Sequence, residues 1–180
     1  MATKIYTKKG DSGQTSLFSG RRADKHDPRV AVVGDLDELS AAIGMARVLN
    51  PGFSDELRSI QQTIYSISAI VSAEDRALTN VAVEPAEVQK LEASIDRASE
   101  LLPPLRDFIY PGEDEASCRL HVARAVARRA ERNLAALQNP HPPQAVLAYM
   151  NRLSDLLFVL ARFADHNQGV KERRLKQPAV

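Results

Sequence analysis

Proline decides how this chain can be divided. Its ten prolines stand at 28, 51, 85, 103, 104, 111, 140, 142, 143 and 178 of 180 residues. Proline lacks the amide donor that a helix interior needs, and its ring clashes with the preceding turn. Helices therefore run between prolines or begin at them. Asp27-Pro28 reads as an N-cap followed by proline in the first helical position. After Ser54, Leu57, Ile60, Ile64, Ile67 and Val71 keep helical spacing, and Val88, Leu91, Ile95 and Ala98 do so until Pro103 stops them. Leu120, Ala123, Ala127, Ala130, Leu134 and Leu137 form a fourth stripe, and Val146, Met150, Leu153, Leu157, Leu160 and Ala164 a fifth. The spacing predicts helices over roughly 29–49, 54–75, 85–101, 114–138 and 143–167. Short β-prone pieces occur only at Thr3 to Thr7 and Val30 to Val33.

The expected fold class is all-α, an up-and-down five-helix bundle with short loops. A chain of this length has room for one sizeable core, and two domains would be cramped. The single domain, 1–180, divides into an N-terminal loop over 1–27, a bundle over 28–168 and a basic tail over 169–180. The loop is expected to be flexible and the tail loosely ordered.

Composition narrows the function classes. A formal net charge of +1 argues against a broad nucleic-acid surface, so any anion site must be local. Tryptophan is absent and aromatics are sparse, which disfavours stacking platforms for single strands. Cys118 is the lone cysteine, so no internal disulfide can form, and it reads as a small inert side chain. The opening MATKIYTKKGD has no apolar stretch like a signal peptide, and no long apolar run predicts a membrane span. A cytoplasmic location is the expectation.

Two segments depart from ordinary bundle chemistry. In HVARAVARRAERN, residues 121–133, Arg124, Arg128 and Arg132 stand four apart on one helix. Like charges at that spacing repel by a few tenths of a kcal/mol, and Glu131 relieves only part of this. His121, Arg124, Arg128 and Glu131 border the apolar face. Two readings stay open: a solvated face whose arginine stems cover apolar surface, or arginines converging on a polyanion or on carboxylates. The second segment is TKKGDSGQTSLFSGRR, residues 7–22, with glycines at 10, 13 and 20 among lysines and hydroxyls. Glycines let backbone amides approach a phosphate closely. The segment matches neither the P-loop nor the dinucleotide fingerprint, and a mobile arm is the competing reading.

Several blocks together resemble the PduO-type ATP:cob(I)alamin adenosyltransferases. They are YTKKGDSGQTSLFSGRRADKHDPRV, GDLDELSAAIGMAR, FIYPG, LHVARAVARRAERNL and YMNRLSDLLFVLARFA, and in order they span nearly the whole chain. The resemblance implies a five-helix bundle that assembles as a homotrimer with active sites between subunits. It implies transfer of the 5′-deoxyadenosyl group from ATP to the cobalt of cob(I)alamin, giving adenosylcobalamin and triphosphate. Thr7, Lys8, Lys9, Gly10 and Thr15 match the segment that cradles the triphosphate, and Lys25 a further phosphate contact. Arg128, Glu131 and Arg132 match nucleotide-contacting positions, as does Asn151 on the last helix. Asp37 and Arg124 match a pair that meets across the subunit interface, and Phe108 the aromatic that blocks the lower face of the corrin.

The chemistry so implied needs no protein nucleophile, since cob(I)alamin itself attacks the 5′ carbon. The protein must position ATP and stabilise the leaving triphosphate, with Mg²⁺ expected on the phosphates and no protein ligands assigned to it. A reductase and an adenosylcobalamin-dependent acceptor enzyme are the implied partners. A carrier or sensor bundle that binds nucleotide or cobalamin without turnover is the alternative. The acidic triplet Glu113-Asp114-Glu115 stands where the resemblance expects a Gly-rich turn. It suits the first turn of the fourth helix, whose dipole favours acids. Of the histidines, His121 and His166 tempt as ligands, yet none stands in a Glu-x-x-His pair. His121 reads instead as a packed or hydrogen-bonded interface residue. Asp155 could orient an arginine. Phe158 and Phe163 read as core or trimer contacts, with Phe163 also placed to approach the corrin.

Overall fold

The computed structural model describes residues 4–6, 8–17, 20–73 and 80–175. Among them are five α-helices: α1 (Pro28–Leu49), α2 (Ser54–Ser72), α3 (Pro85–Glu100), α4 (Glu115–Ala136) and α5 (Gln144–Asn167). A short 3₁₀ turn, Pro51–Phe53, joins α1 to α2. Side by side the helices run α2, α1, α4, α5, α3, so α4 lies at the centre between α1 and α5.

Local chemistry sets the boundaries. Asp27 Oδ1 accepts the Arg29 amide at 2.9 Å, and Pro28 begins α1 without forfeiting a bond. Asp114 caps α4 by accepting the Ala116 amide at 2.9 Å, with Ser117 completing a capping box. The acidic triplet is thereby divided: Asp114 caps, Glu115 opens the helix and pairs with Arg119 at 3.1 Å, and Glu113 turns to Arg173 at 3.2 Å. Buried Asn50 ends α1 and donates to the carbonyls of Ala46 and Ala116, tying that end to the start of α4. The core brings the predicted stripes face to face with Leu36, Leu39 and Ile43 of α1, which no predicted stripe included, and these three are fully buried together with Ile64, Ile67, Leu120, Leu134, Met150 and Leu153. Each such side chain contributes about 1.5–3 kcal/mol over leaving it in water.

Two segments hold more order than the sequence suggested. The opening loop contains a hairpin, β1 (Gln14–Ser16) against β2 (Arg22–Asp24), in the register Gln14↔Asp24, Thr15↔Ala23, Ser16↔Arg22. Its apolar anchors are Leu17 and Ala23, both buried. The tail is tied down as far as residue 175: Ile109 forms a bridge with Arg174, the Tyr110 amide donates to the Arg173 carbonyl at 2.9 Å, and the Leu175 amide donates to the Phe108 carbonyl at 2.8 Å.

Gly112 closes the segment between α3 and α4. Its φ of +78° suits glycine, and a Cβ there would lie 2.4 Å from Cys118 Sγ and 2.9 Å from Cys118 Cα. Gly112→Ala is therefore expected to lose roughly 1–3 kcal/mol, read as a lower thermal midpoint, because the backbone of α4 cannot yield as a side-chain tip would.

Candidate active site

A cleft of about 610 Å³ opens between the α4–α5 pair and the segment 105–111. Arg124, Arg128 and His121 of α4 line one side, Ser154, Asp155, Phe158 and Val159 of α5 another, and Leu105, Phe108, Ile109 and Pro111 the third. Phe108 is 75% exposed, a large apolar ring that the fold leaves without a partner. Its backbone is nonetheless held. Arg162, buried in α5, donates through Nε to Glu172 at 2.6 Å and through Nη2 to the Pro103 carbonyl at 2.8 Å. Arg174 pairs with Asp107 at 3.4 Å. The tail and the Phe108 segment are thus clamped together, and the ring stands on a firm base.

The arginines of α4 divide by face. Arg129 turns towards α1, where Asp35 meets its Nε at 2.9 Å and Glu38 its Nη2, and Asn133 adds a bond to Asp35 at 2.6 Å. Arg119 and Arg152 also have carboxylate partners. Arg124, Arg128 and Arg132 meet no carboxylate among the described residues. Of the two readings left open for this helix, the solvated face does not account for Arg124, which is half-buried at the cleft. Burial and the neighbouring Arg128 both lower its pKa. Arg128 and Arg132 are exposed beside it, so this face carries three cations that no carboxylate among the described residues offsets, and such electrostatics favour an anion. Beside them, Glu131 accepts a bond from Asn151 Nδ2 at 2.8 Å, which links α4 to α5 one turn beyond Arg128.

The hairpin builds a second cluster. Lys8 has a φ of +57°, and the Asp11 and Gly13 amides close turns onto the carbonyls of Lys8 and Gly10. Arg22 Nη2 donates to the Lys9 carbonyl at 2.6 Å, and the Lys25 amide donates to the Gly13 carbonyl at 2.9 Å. The Lys25 ammonium lies 3.6 Å from where a Cβ on Gly10 would stand, so Lys25 reaches over the glycine turn. Thr15 is half-buried within β1, and Thr7 lies outside the described residues. None of Lys8, Lys9, Gly10, Thr15 or Lys25 lines the Phe108 cleft. One chain therefore carries two separate clusters, the hairpin and the cleft. Asp37 is exposed on α1 and does not meet Arg124 within the chain.

Phe163 is not brought to the cleft. It packs edge-on against Phe53 with ring centroids 5.4 Å apart. Phe158 lines the cleft instead, tilted against His121 at 6.0 Å. A signal for this existed in the sequence, since Asn151, Asp155 and Phe158 share one helical stripe and Phe163 lies off it. His121 is 6% exposed and accepts a bond from Arg124 Nε at its Nδ1, 3.3 Å away.

Residues 5–164 match the family model for cobalamin adenosyltransferase. The chain belongs to the cobalamin adenosyltransferase family. It is 45% identical over 183 residues to the corrinoid adenosyltransferase PduO of Citrobacter freundii, covering 95% of this chain and 55% of that protein. It is 41% identical over 187 residues to the corrinoid adenosyltransferase MMAB of Mus musculus, covering 98% of this chain and 79% of that protein. The chain spans about half the length of the PduO relatives that it matches. Among solved structures, it superposes with a TM-score of 0.90 and 33% identity on a variant PduO-type ATP:corrinoid adenosyltransferase from Lactobacillus reuteri complexed with cobalamin and ATP. That match covers 96% of this chain and 97% of the other. The all-α bundle expected from proline spacing is thus the fold of this family, with a hairpin added.

Burial and Arg124 together lower the pKa of His121 from 6.5 to about 4. Between those values the unfolded chain binds the proton and the folded one does not, so acid favours unfolding there. Stability is expected to fall as pH drops from 6.5 towards 4. His121→Asn should flatten that part of the profile, as read by urea midpoints at pH 7 and pH 5.

Proposed function

We propose that this chain transfers the 5′-deoxyadenosyl group of ATP to the cobalt of cob(I)alamin and releases triphosphate. The observation that carries the reading is the cleft in which an exposed aromatic, Phe108, faces a wall bearing Arg124 and Arg128 without carboxylate partners. A flat apolar ring system with a polyanion nearby is the kind of ligand pair such walls suit. The Lactobacillus reuteri relative, complexed with cobalamin and ATP, supports the same pairing.

In the reaction, the cobalt electron pair forms a bond to C5′ of ATP, the C5′–O bond breaks, and triphosphate departs with that bond's electrons. Cobalt goes formally from Co(I) to Co(III), and no proton need move. The chain's task is placement and charge stabilisation. Arg128 and Arg132 neutralise charge gathering on the triphosphate. Glu131 and Asn151, joined across α4 and α5, hold the nucleoside end. Lys8, Lys9, Gly10, Thr15 and Lys25, with Thr7, form the second phosphate wall. Phe108 covers the lower face of the corrin and keeps an axial ligand off the cobalt, which eases its reduction. Phe158 supplies further apolar wall in place of Phe163.

Hairpin and cleft are separate within one chain, which favours sites shared between subunits, and the family resemblance makes the assembly a homotrimer in which the hairpin of one subunit completes the cleft of the next. Asp37 would then reach Arg124 of a neighbour. Among the described residues, no group of three or more His, Cys, Asp or Glu could hold a metal. Mg²⁺ would arrive on the triphosphate, whose oxygens are its usual ligands with few from protein. A reductase would supply the Co(I) state and a cobalamin-dependent enzyme would take the product, in a cytoplasmic setting. No helix among the described residues is long and apolar enough to cross a membrane.

The assay is direct. With ATP, Mg²⁺ and chemically reduced cobalamin, the adenosylcobalamin spectrum is expected to develop. Arg128→Ala should lower kcat/KM on the order of 10²–10³-fold, the loss usual when one charge-stabilising donor is removed. Wild-type protein that binds both ligands yet forms no product would be a carrier, and the proposal would be wrong.

A further inference from the structure

Another cavity, of about 470 Å³, lies where the segment 103–109 meets the tail 169–174. It shares Leu105, Arg106, Asp107 and Ile109 with the Phe108 cleft, so one short stretch of chain walls both. Its walls are fixed to each other. Ile109 bridges to Arg174, the Tyr110 amide donates to the Arg173 carbonyl, and buried Arg162 joins Glu172 to the Pro103 carbonyl. Pro104, Leu105, Ile109 and Val170 give the cavity apolar surface on both sides. Arg106, Lys171 and Arg174 bring exposed cations to the same space. The acids that line it are both engaged, Asp107 with Arg174 at 3.4 Å and Glu172 with Arg162 at 2.6 Å. The charge of Arg106 and Lys171 is therefore in excess among the lining residues. Apolar walls with a few placed cations suit a flat base carried on a phosphodiester.

We propose that this cavity takes the lower-ligand nucleotide of cobalamin, the benzimidazole base with its phosphodiester, after Phe108 has displaced that base from the cobalt. The proposal rests on the adenosyl-transfer reading above, in which Phe108 covers the face of the corrin where the base would bind. The displaced base stays tethered to the ring, and left in water it would expose its apolar surface. The cavity lies across the Phe108 segment from the corrin and offers that surface cover. A base-off cobalamin thereby gains a contact that the base-on form does not make. Only such differential binding shifts an equilibrium between two forms of a ligand. The ordered tail then belongs to the substrate site, since it supplies Val170 and Lys171.

Cobinamide separates the two sites, because it keeps the corrin ring and lacks the nucleotide. Lys171 lines this cavity and not the cleft, so Lys171→Glu reverses charge at the proposed phosphodiester site alone. In titrations of the full assembly with ATP present, this variant is expected to bind cob(II)alamin on the order of 10-fold more weakly. Its affinities for cob(II)inamide and for ATP should not change. Val170→Phe, which fills the cavity with apolar bulk, should show the same selectivity. The electron paramagnetic resonance spectrum of bound cob(II)alamin gives a readout independent of turnover. Nitrogen splitting from the base is expected to be absent in the wild type and to return in part in both variants. Equal weakening of cob(II)alamin and cob(II)inamide, or no weakening of either, would overturn the proposal. So would a loss of ATP affinity, or a crystal structure in which a neighbouring subunit fills the cavity. Wild-type protein that shows this selectivity but forms no adenosylcobalamin would sink the adenosyl-transfer reading and leave the nucleotide site standing.

Discussion

Everything at the cleft depends on what the last turns of α5 hold. Arg162 is buried, and its guanidinium grips Glu172 of the tail and the carbonyl of Pro103, where the Phe108 segment begins. One turn away, buried Asp165 accepts the amide of Asp114 at 3.1 Å and so seats the start of α4. Glu172 is half-buried and only the guanidinium is buried, so removing Glu172 costs at most about 3–5 kcal/mol, the figure for a fully buried pair. Phe108 can stand exposed because these bonds hold its backbone from both sides.

The charges of α4 follow a different logic. Arg129 is answered by Asp35 and Glu38 and stitches α4 to α1. Its neighbours at 124, 128 and 132 stand four apart and repel one another, and the fold provides no carboxylate among the described residues to relieve them. A helix selected for stability alone would place glutamates there. The residual repulsion is small against the burial of the helix's apolar face, so the bundle tolerates it. What remains, within one chain, is a wall whose charge the described residues leave uncompensated.

Legibility in the sequence tracks the range of the interaction that does the work. Helix ends were legible because Pro28, Pro85 and the Asp114 cap act within a turn of themselves. The arginine stripe was legible because helical periodicity is local. The hairpin was not, since three-residue strands carry too little pattern and depend on Leu17 and Ala23 finding cover. The order of the tail was hidden because it rests on the Arg162–Glu172 pair, which helical periodicity does not reach, and on backbone pairing with the Phe108 segment, which is far away in sequence. Phe158 and Phe163 are both aromatics on α5, and only packing against His121 or Phe53 assigned one to the cleft and the other to the core.

The central claim is that the Phe108 cleft receives the corrinoid while the arginine wall and a hairpin receive the triphosphate. A crystal structure with ATP and cobalamin bound tests it most directly. The account predicts the lower corrin face within about 4 Å of the Phe108 ring, at van der Waals contact. It also predicts the triphosphate between Arg128 of one subunit and the Lys8–Gly10 turn of another. A corrinoid seated elsewhere with Phe108 still in solvent, or a triphosphate that touches neither Arg128 nor the hairpin, would contradict it.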